Sequence, residues 1–491
     1  MLFNSYEFIL LFLPLVLGGY LVVRRFGGST RALQALLTLG SLVFFWSAGT
    51  TSILLLAGSS TVNYLLGRWL ARATPSAPAR RVAVALGIVL NVGTLAVAKY
   101  WMLLVPFVAR MTQLDAPRLQ GGLPLAISFY TFLQIAYLVD CYRVRPTKAY
   151  TPLEYLLFVV FFPHLIAGPL VHHRQLIPQL QSLAAPAGNV ARDIGSGMSL
   201  FVLGLSKKVL IADTLAPPAS AVFEASAAGH VGQMQAMVAL VGYTLQIYFD
   251  FSGYSDMAIG LARMFSIDLP ENFRSPYQAT SIVDFWRRWH ITLSRFLLEY
   301  VYIPLGGNRY GTPRRYLNLM LTMLLGGAWH GAGWTFVIWG GLHGAFLCAN
   351  QAYRTVVPES PRWTAPVYRA LTIAAVMMAW IFFRAPDLGA AMHFVDSLFT
   401  VGGTPAPIAP PSWRWYSTVV VGTMIALWQP NTGVLFGVAP APDNAQAPTQ
   451  RRFQCPPWTP TAGWVAVTVL CGLASLAFID GETATFIYYK F

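Results

Sequence analysis

The sequence predicts an all-α, polytopic membrane protein, and three observations lead to that class. Only 11% of the 491 residues are charged and 56% are hydrophobic, whereas a water-soluble domain carries about 25% charged residues. Mean hydropathy over the chain is +0.54, which excludes a soluble globule. Apolar runs recur near 6–23, 32–49, 50–66, 82–109, 122–139, 153–170, 194–212, 232–251, 316–334, 335–349, 368–384, 415–428 and 463–479. A helical crossing takes about 20 apolar residues. A lipid-exposed backbone must satisfy its own hydrogen bonds, so the choice lies between helix and closed barrel, and a barrel would show short alternating strands. We read residues 1–491 as one membrane domain.

The first run, Met1 to Val23, has no basic stretch before it and no small-residue cleavage site, so it reads as a retained helix. Lys and Arg total 33 against 19 Asp and Glu, a formal charge of +14. The excess sits in short connections such as Arg24-Arg25, Arg80-Arg81, Arg143 to Lys148 and Arg314-Arg315, the pattern of cytoplasmic loops. That placement argues for anionic membrane lipids and against nucleic acid as the partner. The run 122–139 contains Pro124, and 153–170 contains Pro163, Gly168 and Pro169. Both are expected to be broken helices, which persist at membrane depth only where protein or a water-filled cavity covers the freed backbone. They point to an internal site.

The stretch from Asp250 to Gly307 is too rich in charge for an ordinary span. Asp284 and Arg288 stand four apart, as do Arg295 and Glu299, which puts opposite charges together on one helical face. Phe285, Trp289, Leu293 and Phe296 line another. The spacing predicts an amphipathic helix over 284–300, at an interface or under a bundle. Residues 402–412 and 430–460 read as connecting loops. Cys141, Cys348, Cys455 and Cys471 have no CxxC or metal-type spacing.

Phosphate loops, GxSxG elbows and HExxH zinc helices do not occur in the sequence. The candidates are therefore polar groups within apolar segments, where ionisable residues are expensive. His330 lies in Leu324–Trp334, a glycine-lined apolar run. Its imidazole could serve as a general base or bridge two helices by hydrogen bonds. His290 follows Trp286-Arg287-Arg288-Trp289 and could orient a substrate, polarise a carbonyl or steady an oxyanion; the alternative is an interfacial histidine beside headgroup-level tryptophans. His343 and the His172-His173 pair lack the spacing of shared ligands, and no metal is expected. Asp250 and Asp256 are expected to pair with Arg287, Arg288 or Lys207-Lys208, because buried charges persist when partnered.

Taken together, these segments resemble the membrane-bound O-acyltransferase family, in the bacterial branch that includes alginate O-acetyltransferases and D-alanyl-lipoteichoic acid transferases. The resemblance is carried by Ser128-Phe129-Tyr130-Thr131-Phe132 with Tyr137 and Asp140, by residues 161–169, by Gly204-Leu205-Ser206-Lys207-Lys208 and by residues 250–260. Residues 272–277, Asp284-Phe285-Trp286-Arg287-Arg288-Trp289-His290 and Trp329-His330-Gly331 complete it. It is strong over 122–349 and weak in the flanks. It implies many transmembrane and re-entrant helices ringing a thin, funnelled core with a tunnel. It also implies His330 as the catalytic residue and His290 as its companion, with Trp329, Trp289, Asp250, Asp256, Arg287 and Arg288 lining or supporting the site. The ending Phe486-Ile487-Tyr488-Tyr489-Lys490-Phe491, after the apolar run 463–479, resembles the Phe-x-Tyr-x-x-Phe ending of this branch. It implies an acyl-relay tyrosine at Tyr488, the alternative being an aromatic interfacial anchor.

The function so implied is transfer of a short acyl group, acetyl, at the bacterial cytoplasmic (inner) membrane. The donor is acetyl-CoA or another cytoplasmic acyl thioester, a substrate rather than a tightly bound cofactor. The acceptor is a hydroxyl of an exported polysaccharide or a periplasmic acetyltransferase partner. Broken helices and intramembrane charges also suit a transporter or channel, although the sequence shows no matching halves.

Overall fold

The computed structural model describes residues 1–72, 78–112, 124–144, 149–185, 189–229, 231–357, 361–401, 405–438, 457–479 and 487. Among these residues every regular element is helical. Glu7–Arg25, Pro78–Tyr100, Val190–Ala228 and Ala365–Arg384 are long and apolar enough to cross a membrane, and Thr30–Trp46, Leu388–Phe399 and Ala462–Ala477 are shorter apolar helices. Leu10, Leu15, Val89, Leu371 and Leu470 stand more than half exposed along them. Water penalises such apolar faces and lipid does not. The chain is an all-α polytopic membrane protein, and it divides into two compact units.

One unit comprises Met1–Phe201 with Met257–Pro270. Phe8, Phe12, Phe44 and Phe162 pack ring on ring, with centroids 5.4–6.2 Å apart. Thr50–Arg72, Pro78–Thr112 and Ile127–Arg143 pack together through small residues: a methyl added at Gly67 would overlap the Tyr137 ring, and one at Gly87 would crowd Leu138. Close approach of this kind drives helix association where no hydrophobic effect operates. A buried amide cluster supplements it. Asn63 donates to Asn91 Oδ1 at 3.2 Å and to Gln134 Oε1 at 3.0 Å, and Asn91 donates back to Asn63 Oδ1 at 2.7 Å.

Two expectations change here. Pro124 precedes Ile127–Arg143 instead of interrupting it, since proline is tolerated ahead of a helix but not within one. The 153–170 run is broken as expected, into Pro152–Val160 and the short turn Phe162–Leu165, and residues 157–171 are buried throughout. Arg80 is no loop charge. It is 5% exposed and donates to the carbonyls of Cys141 and Tyr142 at the end of Ile127–Arg143, where cations suit the helix terminus.

The other unit comprises Val202–Asp256 with Glu271–Ile487. Its centre is a hairpin of Gly311–His330 and Trp334–Val356, joined by Gly331, Ala332 and Gly333. Gly327 faces the Phe336 carbonyl and Gly340 faces the Met323 carbonyl so closely that a methyl at either would overlap backbone. Backbone cannot swing aside as a side chain can, so Gly340→Leu should destabilise the protein by about 1–3 kcal/mol or more. Gly93→Leu, at a glycine with nothing within 4 Å, should be neutral or mildly stabilising. Thermal unfolding in detergent compares the two.

Candidate active site

His330 is the last residue of Gly311–His330 and is 3% exposed. Three rings enclose its imidazole edge to face: Trp329 at 4.7 Å, Trp339 at 5.0 Å and Phe383 at 5.1 Å between centroids. The enclosure is thin on one side. Gly331 and Ala332 are partly exposed, Gly333 is exposed and Trp334 is 75% exposed, so the chain passes from a sealed ring to the surface within a few residues. Gly331 must lack a side chain because Phe336 occupies the space a methyl would need. His343, fully buried, takes the other neighbouring position at Trp339, 5.0 Å away, and accepts from Trp286 Nε1 at 3.3 Å.

The predicted 284–300 helix is present in pieces: Ile282–Trp286, then Ile291–Leu297, continued by a π-helical turn Leu298–Tyr302. The break falls at His290, whose backbone is left-handed at φ 43°, a conformation that costs a residue bearing a Cβ. Asn272 holds it there. Its carbonyl accepts from Ile291 N–H at 2.9 Å, while its side-chain Oδ1 receives Thr292 N–H at 3.3 Å, the Thr292 hydroxyl at 3.0 Å and His290 Nδ1 at 3.1 Å. A backbone N–H can only donate, so that amide atom is oxygen. Nδ1 of His290 therefore carries the proton, and in the neutral ring Nε2 is the acceptor.

Both predicted i, i+4 ion pairs form, Arg288 to Asp284 at 2.8 Å and Arg295 to Glu299 at 2.6 Å, and Phe285, Trp289, Leu293 and Phe296 are all buried. Trp289 is the hub of this face: it stacks on Phe285, meets Phe273 edge-on at 5.0 Å and touches Trp380 at 5.0 Å. Trp380 in turn contacts Trp339 and Phe383, two of the rings around His330. One aromatic cluster thus runs from Trp289, the neighbour of His290, to the cage of His330. Asp250 and Asp256 take the lysine option. Asp250 pairs with Lys208 at 2.8 Å and Asp256 with Lys207 at 2.6 Å, while Arg287 is exposed. Tyr488 lies outside the described residues.

Two further features escape sequence reasoning. Asp140, at the end of Ile127–Arg143, gathers His173 at 3.2 Å and Arg174 at 3.3 Å, and His173 also bonds the Tyr150 hydroxyl at 2.9 Å. Burial alone would raise the Asp140 carboxyl, but His172, His173 and Arg174 outweigh it and hold the group well below the usual carboxylate range. The second is a cavity of about 480 Å³ in the unit that holds the histidines. Its walls include Leu203, Leu210, Ile211, Phe249, Val421 and Ile425, with Lys207 and Thr432 among its polar lining, and neither His290 nor His330 reaches it.

Residues 141–388 match the model of the MBOAT, membrane-bound O-acyltransferase family. The chain is 40% identical to the "Peptidoglycan O-acetyltransferase" of Helicobacter pylori, over 82% of this chain and 80% of that one. It is 38% identical to the "Probable alginate O-acetylase AlgI" of Pseudomonas aeruginosa over 82% of this chain and 75% of the other, and 35% identical to that of Azotobacter vinelandii over the whole of both. The chain belongs to the membrane-bound O-acyltransferase family and is an O-acyltransferase.

The Asn272 contacts can be tested apart from any chemistry. Asn272→Ala strips the shared acceptor from three buried donors, each costing about 1–3 kcal/mol when left unmade. Thermal unfolding should show a loss of that order or greater, and Asn272→Asp, which keeps the acceptor, should recover most of it.

Proposed function

We propose that this enzyme transfers a short acyl group, acetyl, from a cytoplasmic thioester such as acetyl-CoA to hydroxyls of an exported polysaccharide or to an extracytoplasmic relay protein. It would do so as a multi-pass protein of the bacterial cytoplasmic membrane. The named relatives act on peptidoglycan and alginate, both hydroxyl-bearing carbohydrate polymers, which supports a carbohydrate acceptor here. The observation that carries the reading is His330: a buried imidazole at a helix C-terminus, one residue from a partly exposed glycine turn.

In this reading the acceptor hydroxyl attacks the thioester carbonyl. The C–O bond forms as His330 takes the hydroxyl proton, the C–S bond breaks, and the proton passes to the departing thiolate. The partial negative charge at a helix C-terminus favours a cation on that residue, so the imidazolium formed in the step is stabilised where it arises. Of the three roles open to His290, the hydrogen bond to Asn272 supports orienting the hydroxyl: a neutral ring protonated at Nδ1 offers Nε2 as an acceptor and has no second N–H for an oxyanion. Trp329 and Trp289 shape the enclosure, and the Lys–Asp pairs support it from the neighbouring helices. Tyr488 is the proposed acyl carrier if the hydroxyl that attacks first belongs to this chain.

His330→Ala should insert and fold yet lose acyl transfer by about 10²–10⁴-fold, the span of general-base catalysis. Ester-linked acetate on cell-envelope polymers, measured by mass spectrometry at matched membrane levels of the two proteins, checks it. Acetylation within twofold of the unaltered chain would remove His330 from the mechanism.

A further inference from the structure

The cavity of about 480 Å³ lies wholly within the unit formed by Val202–Asp256 and Glu271–Ile487. Its wall follows the helix Trp413–Trp428 from Ser417 to the C-cap Gln429, about 18 Å of axis at 1.5 Å per residue. One leaflet of hydrocarbon is about 15 Å deep, half of a core about 30 Å thick. The same helix exposes Val420, Val421 and Met424 between exposed tryptophans at its two ends, Trp413 and Trp428, which is how a lipid-facing helix meets the two interfaces. Ser417 and Val421 line the cavity and are exposed themselves, so it opens on the lipid-facing side.

Several polar groups of the wall are already bonded to protein. Ser417 and Thr418 donate to the Arg414 carbonyl, both at 2.8 Å, and Ser206 bonds the Ser475 hydroxyl at 2.9 Å. Lys207 pairs with Asp256 at 2.6 Å, and Thr432 donates to the same carboxylate at 2.9 Å. The surface left to an occupant is chiefly that of Leu203, Leu210, Ile211, Phe249, Val421 and Ile425. Such a wall offers water few of the hydrogen-bond partners it needs, whereas an alkyl chain gains dispersion contact along it. Arg414 stands one turn outside the cavity mouth. Residues three and four apart share a helical face, which puts Arg414 on the side of Ser417 and Thr418. Its guanidinium is exposed, donates to Thr214 Oγ1 at 3.3 Å and lies 4.2 Å from the centre of the Phe478 ring. A guanidinium has five N–H donors in a planar fork that suits phosphate.

We propose that this cavity is a phospholipid site: one acyl chain enters it from the interface, and the lipid phosphate is held at Arg414. Neither His290 nor His330 lines it, so the site stands independently of the reaction proposed above.

The test uses the full chain, delipidated in detergent, with affinities read by native mass spectrometry. The probes are dioleoyl phosphatidylglycerol, dioleoylglycerol, which has the same chains and no phosphate, and glycerol 3-phosphate, which has no chains. Ile425→Trp fills the cavity and should weaken both lipids by about tenfold or more, as exclusion of even two methylenes implies. Val420→Trp adds the same ring on the lipid-facing side and should leave both near the parent. Arg414→Gln should weaken phosphatidylglycerol by about tenfold, the loss of one charge-assisted hydrogen bond, and leave dioleoylglycerol within about twofold. Glycerol 3-phosphate should not bind at concentrations that saturate the lipid. Equal affinities of the two tryptophan variants, equal weakening of both lipids by Arg414→Gln, or binding of glycerol 3-phosphate as tight as that of the lipid would overturn the proposal. Should Ile425→Trp fail to fold, the unaltered chain is photo-crosslinked to phosphatidylglycerol carrying a diazirine at the end of one chain. Adducts at Leu203, Ile211 or Ile425 uphold the site, and adducts confined to Val420 and Met424 overturn it.

Discussion

The close passage of two helix backbones at Gly327 and Gly340 is the constraint on which the candidate site depends. With no side chain between them, Gly311–His330 and Trp334–Val356 lie near enough that Trp339 reaches across to His330, and Phe336 fills the space beside Gly331. Lipid offers no hydrophobic drive for helices to associate, so packing of this kind has to supply it. Bulk at either glycine would part the hairpin, and the cage around the imidazole would open with it.

Polar groups in the same unit follow a second rule, that a charge or amide away from water persists beside a partner. Lys207 and Lys208 are met by aspartates, and the Asn272 amide is met by Ser255, Thr292 and His290. His330 adds aromatic rings to its surroundings, those of Trp329, Trp339 and Phe383, and lies next to a glycine turn that reaches the surface.

Much of this was legible from residue order. Hydropathy carries the fold class, because lipid imposes helix on an apolar chain. The pairs Asp284–Arg288 and Arg295–Glu299 follow from helical spacing, and the burial of Phe285 and Trp289 from the same periodicity. Both histidines stand out as polar residues among apolar or aromatic ones. The break at His290 does not, since its left-handed backbone is imposed by Asn272, 18 positions earlier, and local propensity opposes it. Arg80 looks like a loop charge in the sequence because its carbonyl partners, Cys141 and Tyr142, belong to a helix about 60 residues on. The gathering of His173 and Arg174 at Asp140 is likewise tertiary, with no periodic signal to betray it.

Acyl transfer at the ring of His330 requires that a thioester carbonyl reach that imidazole. A structure of the protein with a non-hydrolysable acetyl thioester analogue bound addresses it directly. The analogue's carbonyl group is expected against the His330 imidazole, with Phe336 or Phe383 displaced to admit it. An analogue held elsewhere, with His330 still closed in by Trp329, Trp339 and Phe383, would contradict it.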